Sequence, residues 1–170
     1  MEDNTTHDPF LSDLERTLQA AGRGGENWQG VLDVVLAHLG FTVGTIHRFN
    51  RATSLLELQA HTGVPDALLP QVTRIPIGKG MAGLAAQRGE PVQVCNLQRD
   101  ETGVVRPNAK QIEVQGAIAL PMFADGELRG VLGVAKPAAC EFGSEEIGRL
   151  QAIATRIAGH FPDPLARAGS

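Results

Sequence analysis

Lys79 stands between Gly78 and Gly80, directly before a run of helix-forming residues. A cation there, beside the unsatisfied N–H groups of a helix start, is an arrangement that holds an anion. The alternative is a solvated turn lysine. The glycine spacing, with no Ser or Thr after the lysine, does not make a Walker phosphate loop. His47 and His61 fall on two extended runs and offer either polar groups facing a pocket or a pair of metal ligands. A metal needs a third ligand, and none stands at a suitable place. Each is otherwise a hydrogen-bonded structural or surface histidine, and His61, at the end of its run, is the better pocket residue. Cys95 is a redox candidate because a reactive thiolate needs nearby positive charge, which Arg99 offers. The plainer alternative is a small buried apolar side chain. Cys140 precedes Glu141, whose charge would oppose thiolate formation. Arg99 and Arg106 lie in a long irregular segment whose charges are mostly solvated, and they are the natural clamps for a carboxylate or phosphate.

The elements that must position these groups follow from periodicity. Leu11, Leu14, Leu18 and Ala21 make one helical stripe, ended by the glycines of 22–25. Asn27 can cap a second helix in which Val31, Val35 and Leu39 share a face beside Leu32 and Leu36, and Gly40 closes it. Alternation predicts strands over 41–50 and 55–61 joined by a polar turn. Val43, Thr45, His47 and Phe49 share one face of the first strand; Leu56, Leu58 and Ala60 share one face of the second. A short helix over 67–69 follows. The stretch 75–94 then reads as an extended run, a glycine turn, a helix ended by Gly89 and Pro91, and a strand at 92–94. Residues 96–111 are irregular, and a loop of that length inside a compact domain is usually functional or mobile. Runs 116–123 and 127–136 form a hairpin on Asp125-Gly126, apolar on both faces and so at the sheet centre. Pro121 within it predicts a bulge or a local edge. Ser144 caps a last helix with Glu145 and Glu146 in its first turn and Leu150, Ile153, Ala154, Ile157 and Phe161 as its stripe.

This order predicts an α+β fold: one antiparallel sheet with the N- and C-terminal helices on one face and helix-and-loop segments covering the other. The 170 residues are one ordinary domain, 11–161, between short tails at 1–10 and 162–170. At that size about 70% of the unfolded surface can be buried without disulfide or metal. A net charge of −4 without basic clusters argues against nucleic acid. No apolar run is long enough to span a membrane. The first residues lack the regions of a signal peptide, so the expected location is cytoplasmic, with reduced thiols.

Five pieces occur in a set order: Ile77-Gly78-Lys79-Gly80-Met81-Ala82-Gly83; Gly89-Glu90-Pro91-Val92; Ala119-Leu120-Pro121-Met122; the run from Gly126 to Val134; and Phe142-Gly143-Ser144-Glu145-Glu146. Together, over about 14–161, the chain resembles the GAF domain family, whose fold is related to that of PAS domains. The resemblance implies a small-molecule sensor with its ligand between the sheet and the cover, and terminal helices that pair between subunits. It places the pocket walls at Phe49, His61, Ile118 and Leu120, and the lid at Lys79, Met81 and Leu84 with the loop 96–112 and its Arg99. One enzymatic branch, the free methionine-R-sulfoxide reductases, is similar in the glycine segment. That branch carries a cysteine where this chain has Ala82, and further cysteines in a loop matching 96–115, which here has none. The thiol nucleophile and its resolving partner are thus missing. The residue pattern of the cyclic-nucleotide branch is not recognisable. Bilin attachment needs a pocket cysteine, and six Phe, one Trp and no Tyr offer few stacking surfaces.

The expected protein is a free-standing, non-enzymatic sensor module with no metal site, binding a small molecule that the sequence does not identify, and no cofactor is named. Its signal would pass through a homodimer formed by the terminal helices, with Leu11, Leu14 and Leu18 at the interface, or through a separate output protein. The alternatives are a structural dimerisation module with an empty pocket and a thiol sensor acting through Cys95.

Overall fold

The computed structural model describes residues 9–20 (side chains from residue 12), 28–94, 116–136 and 142–161. Helix α1 (Pro9–Ala20) and α2 (Trp28–Leu39) precede strands β1 (Val43–Asn50) and β2 (Leu55–Thr62). A 3-10 turn (Asp66–Leu68), α3 (Leu69–Val72), β3 (Arg74–Pro76), α4 (Gly80–Arg88) and β4 (Val92–Val94) come next. The hairpin of β5 (Gly116–Ala124) and β6 (Glu127–Lys136) leads to α5 (Ser144–Ala158).

The strands make one six-stranded sheet in the order β3-β2-β1-β6-β5-β4, antiparallel at every pairing. Asp125 and Gly126 both take positive φ (54° and 75°), the conformation a two-residue hairpin turn needs to match strand twist. Pro121 meets both expectations attached to it. It pairs with Val131 of β6, but β4 reaches only Ala117 to Ala119, so at Pro121 the sheet has no β4 neighbour and the strand is locally an edge. A register shift follows at once, between Met122 and Phe123.

One face of the sheet is packed solid. Ile46, Ile118, Leu120, Met122, Leu132 and Val134 meet the buried stripes of α1, α2 and α5. Trp28 and Phe161 close one end with ring centroids 4.4 Å apart. Leu14 and Leu18, expected at a subunit interface, are fully buried in this chain's own core, so that stripe is not free for a second copy. Burying them stabilises by about 1.5–3 kcal/mol each. The ion pair of Glu15 with Arg156 at 2.6 Å joins α1 to α5, yet both side chains are about two-fifths exposed (39% and 43%), and such pairs contribute at most about 1 kcal/mol. Apolar burial therefore seats α1. The N-cap of α5 is Gly143 rather than Ser144, and no side chain caps it; Glu145 and Glu146 still complement the dipole of the first turn. No helix among the described residues is long and apolar enough to cross a membrane.

Strand β2 departs from simple alternation. Ile46 pairs with Ala60 but His47 pairs with Leu58, leaving Gln59 as an extra residue. Ala60 is thereby turned into the helix-side core, away from the face of Leu56, and His61 takes the face of its partner Thr45.

Candidate functional site

The other face of the sheet is hollow at one end. Register sets its floor in rows: Val43, Ala135 and Ala117 stand side by side, and Thr45, Gly133 and Ala119 stand next to them. Small side chains there leave a gap beneath the cover, whereas the next row, His47 with Val131, is tall enough to close it. The roof is Val64, Leu68, Gln71, Val72 and Ile75 with the first turn of α4, and it encloses about 170 Å³. A cavity of about 150 Å³ accepts a benzene-sized molecule, so this one has room for a small metabolite. Its described lining is almost entirely apolar, and Lys79 is the only member with a formal charge at neutral pH.

The glycine segment presents the start of α4 to this space. Gly78 occupies the third position of a turn in which the Lys79 N–H donates to the Pro76 carbonyl at 3.1 Å, and its φ of 90° is one that side chains rarely adopt. Gly78 N–H in turn donates to the Gly83 carbonyl at 2.8 Å. A Cβ on Gly83 would come within 2.5 Å of the Pro76 carbonyl oxygen, so only glycine lets the helix sit this close to β3. Lys79 is the N-cap, with no side-chain cap bond. The N–H groups of Gly80, Met81 and Ala82 therefore have no acceptor among the described residues, and all three residues line the cavity. The Lys79 side chain is exposed and makes no ion pair with a described residue.

His47 stands in the wall of the same cavity and is 1% exposed. Its Nε2 lies 2.7 Å from the Val72 carbonyl oxygen, which can only accept, so Nε2 carries the proton. Nδ1 is left as a buried lone pair with no partner among the described residues. Burial pushes the ring's pKa down from 6.5 to about 4, against the smaller raising effect of the Val72 hydrogen bond. At neutral pH the ring is uncharged.

The residues expected at the pocket are divided by the structure. Lys79, Met81 and Ile118 all line the cavity, but the Ile118 side chain belongs to the helix-side core, so it is the strand itself that forms wall there. Leu120 is wholly buried in that same core and is no wall of the cavity. Phe49 and Leu84 are on the covered face but pack with Leu56, Ile75 and Ala85, outside the hollow. His61 continues the Thr45 row one strand outward, half-buried, and does not line the cavity. Its backbone N–H donates to Gln29 Oε1 of α2 at 3.2 Å. Cys95, Arg99, Arg106, Cys140 and the loop 96–112 lie outside the described residues. Among the described residues no three His, Cys, Asp or Glu side chains come together as a metal site. Thr45, Val72, Ala117, Ala119, Gly133 and Ala135 were not expected at the site. The signal that marks most of them is size: on β5 and β6 the small residues fall at alternate positions.

Similarity to known proteins agrees with this architecture. The GAF domain family model matches residues 28–160. No curated protein matches the chain by sequence. Among solved structures, the GAF domain of a phosphoenolpyruvate-protein phosphotransferase from Coxiella burnetii is similar at 19% identity and a TM-score of 0.74, covering 89% of this chain and 90% of that one. The corresponding domain from Acinetobacter is similar at 18% identity and a TM-score of 0.66, covering 90% and 92%. A free methionine-R-sulfoxide reductase from Neisseria meningitidis, solved with its substrate, is similar at 20% identity and a TM-score of 0.67, covering 89% and 87%. At these identities the likeness is one of fold, and with a family match over most of its length the chain belongs to the GAF domain family.

Proposed function

We propose that this GAF domain is a non-enzymatic small-molecule sensor whose ligand lies between the small-residue floor of β1, β5 and β6 and the cover of Val64 to Ala82. The observation that carries this reading is the cavity itself: about 170 Å³, lined mostly by apolar side chains with a few polar ones, Thr45 in the floor, His47 in the wall, Gln71 in the roof and Lys79 at the rim. Against an enzyme of the reductase type stands Ala82, at the position where those proteins carry a cysteine. The described lining holds no carboxylate or thiol to act as base or nucleophile.

A physical connection to the helix layer supports signalling. Thr62, beside His61 at the end of β2, donates to Asp33 Oδ1 at 2.8 Å and accepts from Gln29 Nε2 at 2.8 Å. Both partners are on α2, so the outer end of the Thr45 row is tied to the helices that a second copy or a separate output protein would read. A ligand changes that output only by binding two arrangements of the row unequally.

The test is a thermal-shift panel of amino acids, nucleotides and small acids on the wild type and on Met81→Trp, which fills the hollow from its rim. A ligand at a hundred times its dissociation constant adds about 2.7 kcal/mol. The expected result is at least one compound that raises the wild-type midpoint and loses its effect in the variant. If no compound does so, the structural module with an empty pocket is the better account.

A further inference from the structure

The polar groups inside the hollow carry no charge, and that restricts what can fill it. The described lining offers the Thr45 hydroxyl in the floor and the Gln71 amide in the roof, beside His47, which is neutral at neutral pH. No carboxylate is among the described lining residues. The one formal charge, on Lys79, is exposed at the rim, where water screens it. Thr45 holds the middle of the floor. It pairs with Gly133 of β6, and a Cβ on Gly133 would come within 2.9 Å of its Oγ1, so the hydroxyl leans over the glycine on the hollow side of the sheet. Thr45 is half-buried, yet its hydroxyl makes no hydrogen bond with a described residue. The floor around it, Val43, Ala117, Ala119 and Ala135, has no side-chain acceptor to give it. A hydroxyl enclosed among apolar groups without a partner is unfavourable, and valine would fill the same shape on a strand without that cost.

We infer that the ligand is an uncharged, compact and mainly apolar molecule with one acceptor oxygen, a hydroxyl or a carbonyl, to which the Thr45 hydroxyl donates. The inference rests on the sensor reading above, names its ligand class and makes Thr45 the residue that sets specificity. A volume near 170 Å³ suits a molecule of about six heavy atoms. An ion seated on this floor would exchange water for surroundings that hold nothing of opposite charge. A hydrocarbon would fill the space and leave the Thr45 hydroxyl unpaired.

Cyclopentanol, cyclopentylammonium, cyclobutanecarboxylate and benzene, added to the panel above and titrated against the protein's amide chemical shifts, test this. Cyclopentanol is expected to bind at least about tenfold more tightly than either ion. Thr45→Val keeps the side-chain shape and suits a strand, so the fold is retained. It should weaken cyclopentanol about three- to tenfold, as the loss of one hydrogen bond does, and should not weaken benzene. Thr45→Ser keeps the hydroxyl and should bind cyclopentanol within about threefold of the wild type. An ion that binds as tightly as cyclopentanol overturns the inference. So does a cyclopentanol affinity indifferent to Thr45→Val, or one lost in parallel with that of benzene. If a charged compound binds the wild type and not Met81→Trp while cyclopentanol does not bind, the ligand class falls and the sensor reading stands. If nothing binds in a way that Met81→Trp abolishes, both fall.

Discussion

Strands β5 and β6 carry apolar residues on both faces, yet the faces do opposite things. Toward the terminal helices they present Ile118, Leu120, Met122, Leu132 and Val134, nearly all fully buried and interlocked with α1, α2 and α5. Toward the cover they present Ala117, Ala119, Gly133 and Ala135, and there a hollow remains. Neither of these two sets carries a polar side chain; what differs is side-chain volume. A packed face needs bulk to reach across the roughly 10 Å between layers, and a face that keeps room for a ligand must withhold it. A packed layer and an open hollow are thus written into alternate residues of the same two strands.

The sharpest way to break this comparison is to remove bulk from the packed face. Leu120→Ala should lose about 2–5 kcal/mol in urea unfolding, from lost burial and the void left behind. A loss below about 1 kcal/mol would mean that the helix side is loosely filled and the two faces are not different in kind. Gly130 probes the same face by addition. A Cβ there would overlap the carbonyl oxygen of His47 and crowd Met122, and backbone cannot step aside as a side chain can. Gly130→Ala is therefore expected to cost about 3 kcal/mol or more by overpacking, read by the same unfolding curves.

His47 links the faces to pH. Above pH 6.5 the ring is neutral in both folded and unfolded chains, so its burial carries no penalty. Between 6.5 and about 4 the unfolded ring takes up a proton that the buried ring refuses, and stability falls as pH falls. Below about 4 both states are protonated and the slope ends. The whole window is worth on the order of 3 kcal/mol. His47→Gln keeps an N–H donor for the Val72 carbonyl but does not titrate. The wild type should thus lose more stability than the variant between about pH 7 and about pH 4.5. Parallel losses would show that His47 titrates normally and is not sealed in the wall.

Much of this architecture is legible in residue order, for local reasons. Asp125-Gly126 marks its own hairpin, since few pairs tolerate positive φ twice in succession. Gly78 and Gly89 mark the two ends of the α4 segment in the same way, and both have positive φ in the structure. The stripe of Leu150, Ile153, Ala154 and Ile157 fixes the buried side of α5. The hollow was misplaced because it depends on pairings between distant residues. Nothing local says that Gly133 stands between Thr45 and Ala119, since that follows from two strand registers. A strand apolar on both sides does not announce which face is filled, and the family resemblance alone, which implies walls at Ile118 and Leu120, does not settle it. The extra residue Gln59 interrupts a run, Leu56-Leu58-Ala60, that reads as unbroken alternation. The bond from His47 to Val72 spans 25 residues and depends on where the cover settles, so nothing local marks His47, whereas the position of His61 at the end of its strand favours it in the sequence.

The smallest expected effect is the most discriminating, because it uses the same substitution on the hollow face of the same strand. A Cβ on Gly133 would meet a single neighbour, the Thr45 hydroxyl oxygen, at 2.9 Å. That atom is the end of a side chain that can rotate about χ1, so the clash is relieved locally. Replacing glycine within a strand also recovers about 0.5–1 kcal/mol of backbone entropy. Gly133→Ala should therefore shift stability by less than about 1 kcal/mol, with either sign, against the large loss for Gly130→Ala. The added methyl enters the middle of the floor, so any compound that binds in the cavity should bind the variant more weakly even though the fold is intact. Stability unchanged with binding weakened would locate function on the face that contributes least to packing. A loss as large as that of Gly130→Ala would show instead that the floor is as tightly filled as the helix side, and that the small residues are there to let layers touch.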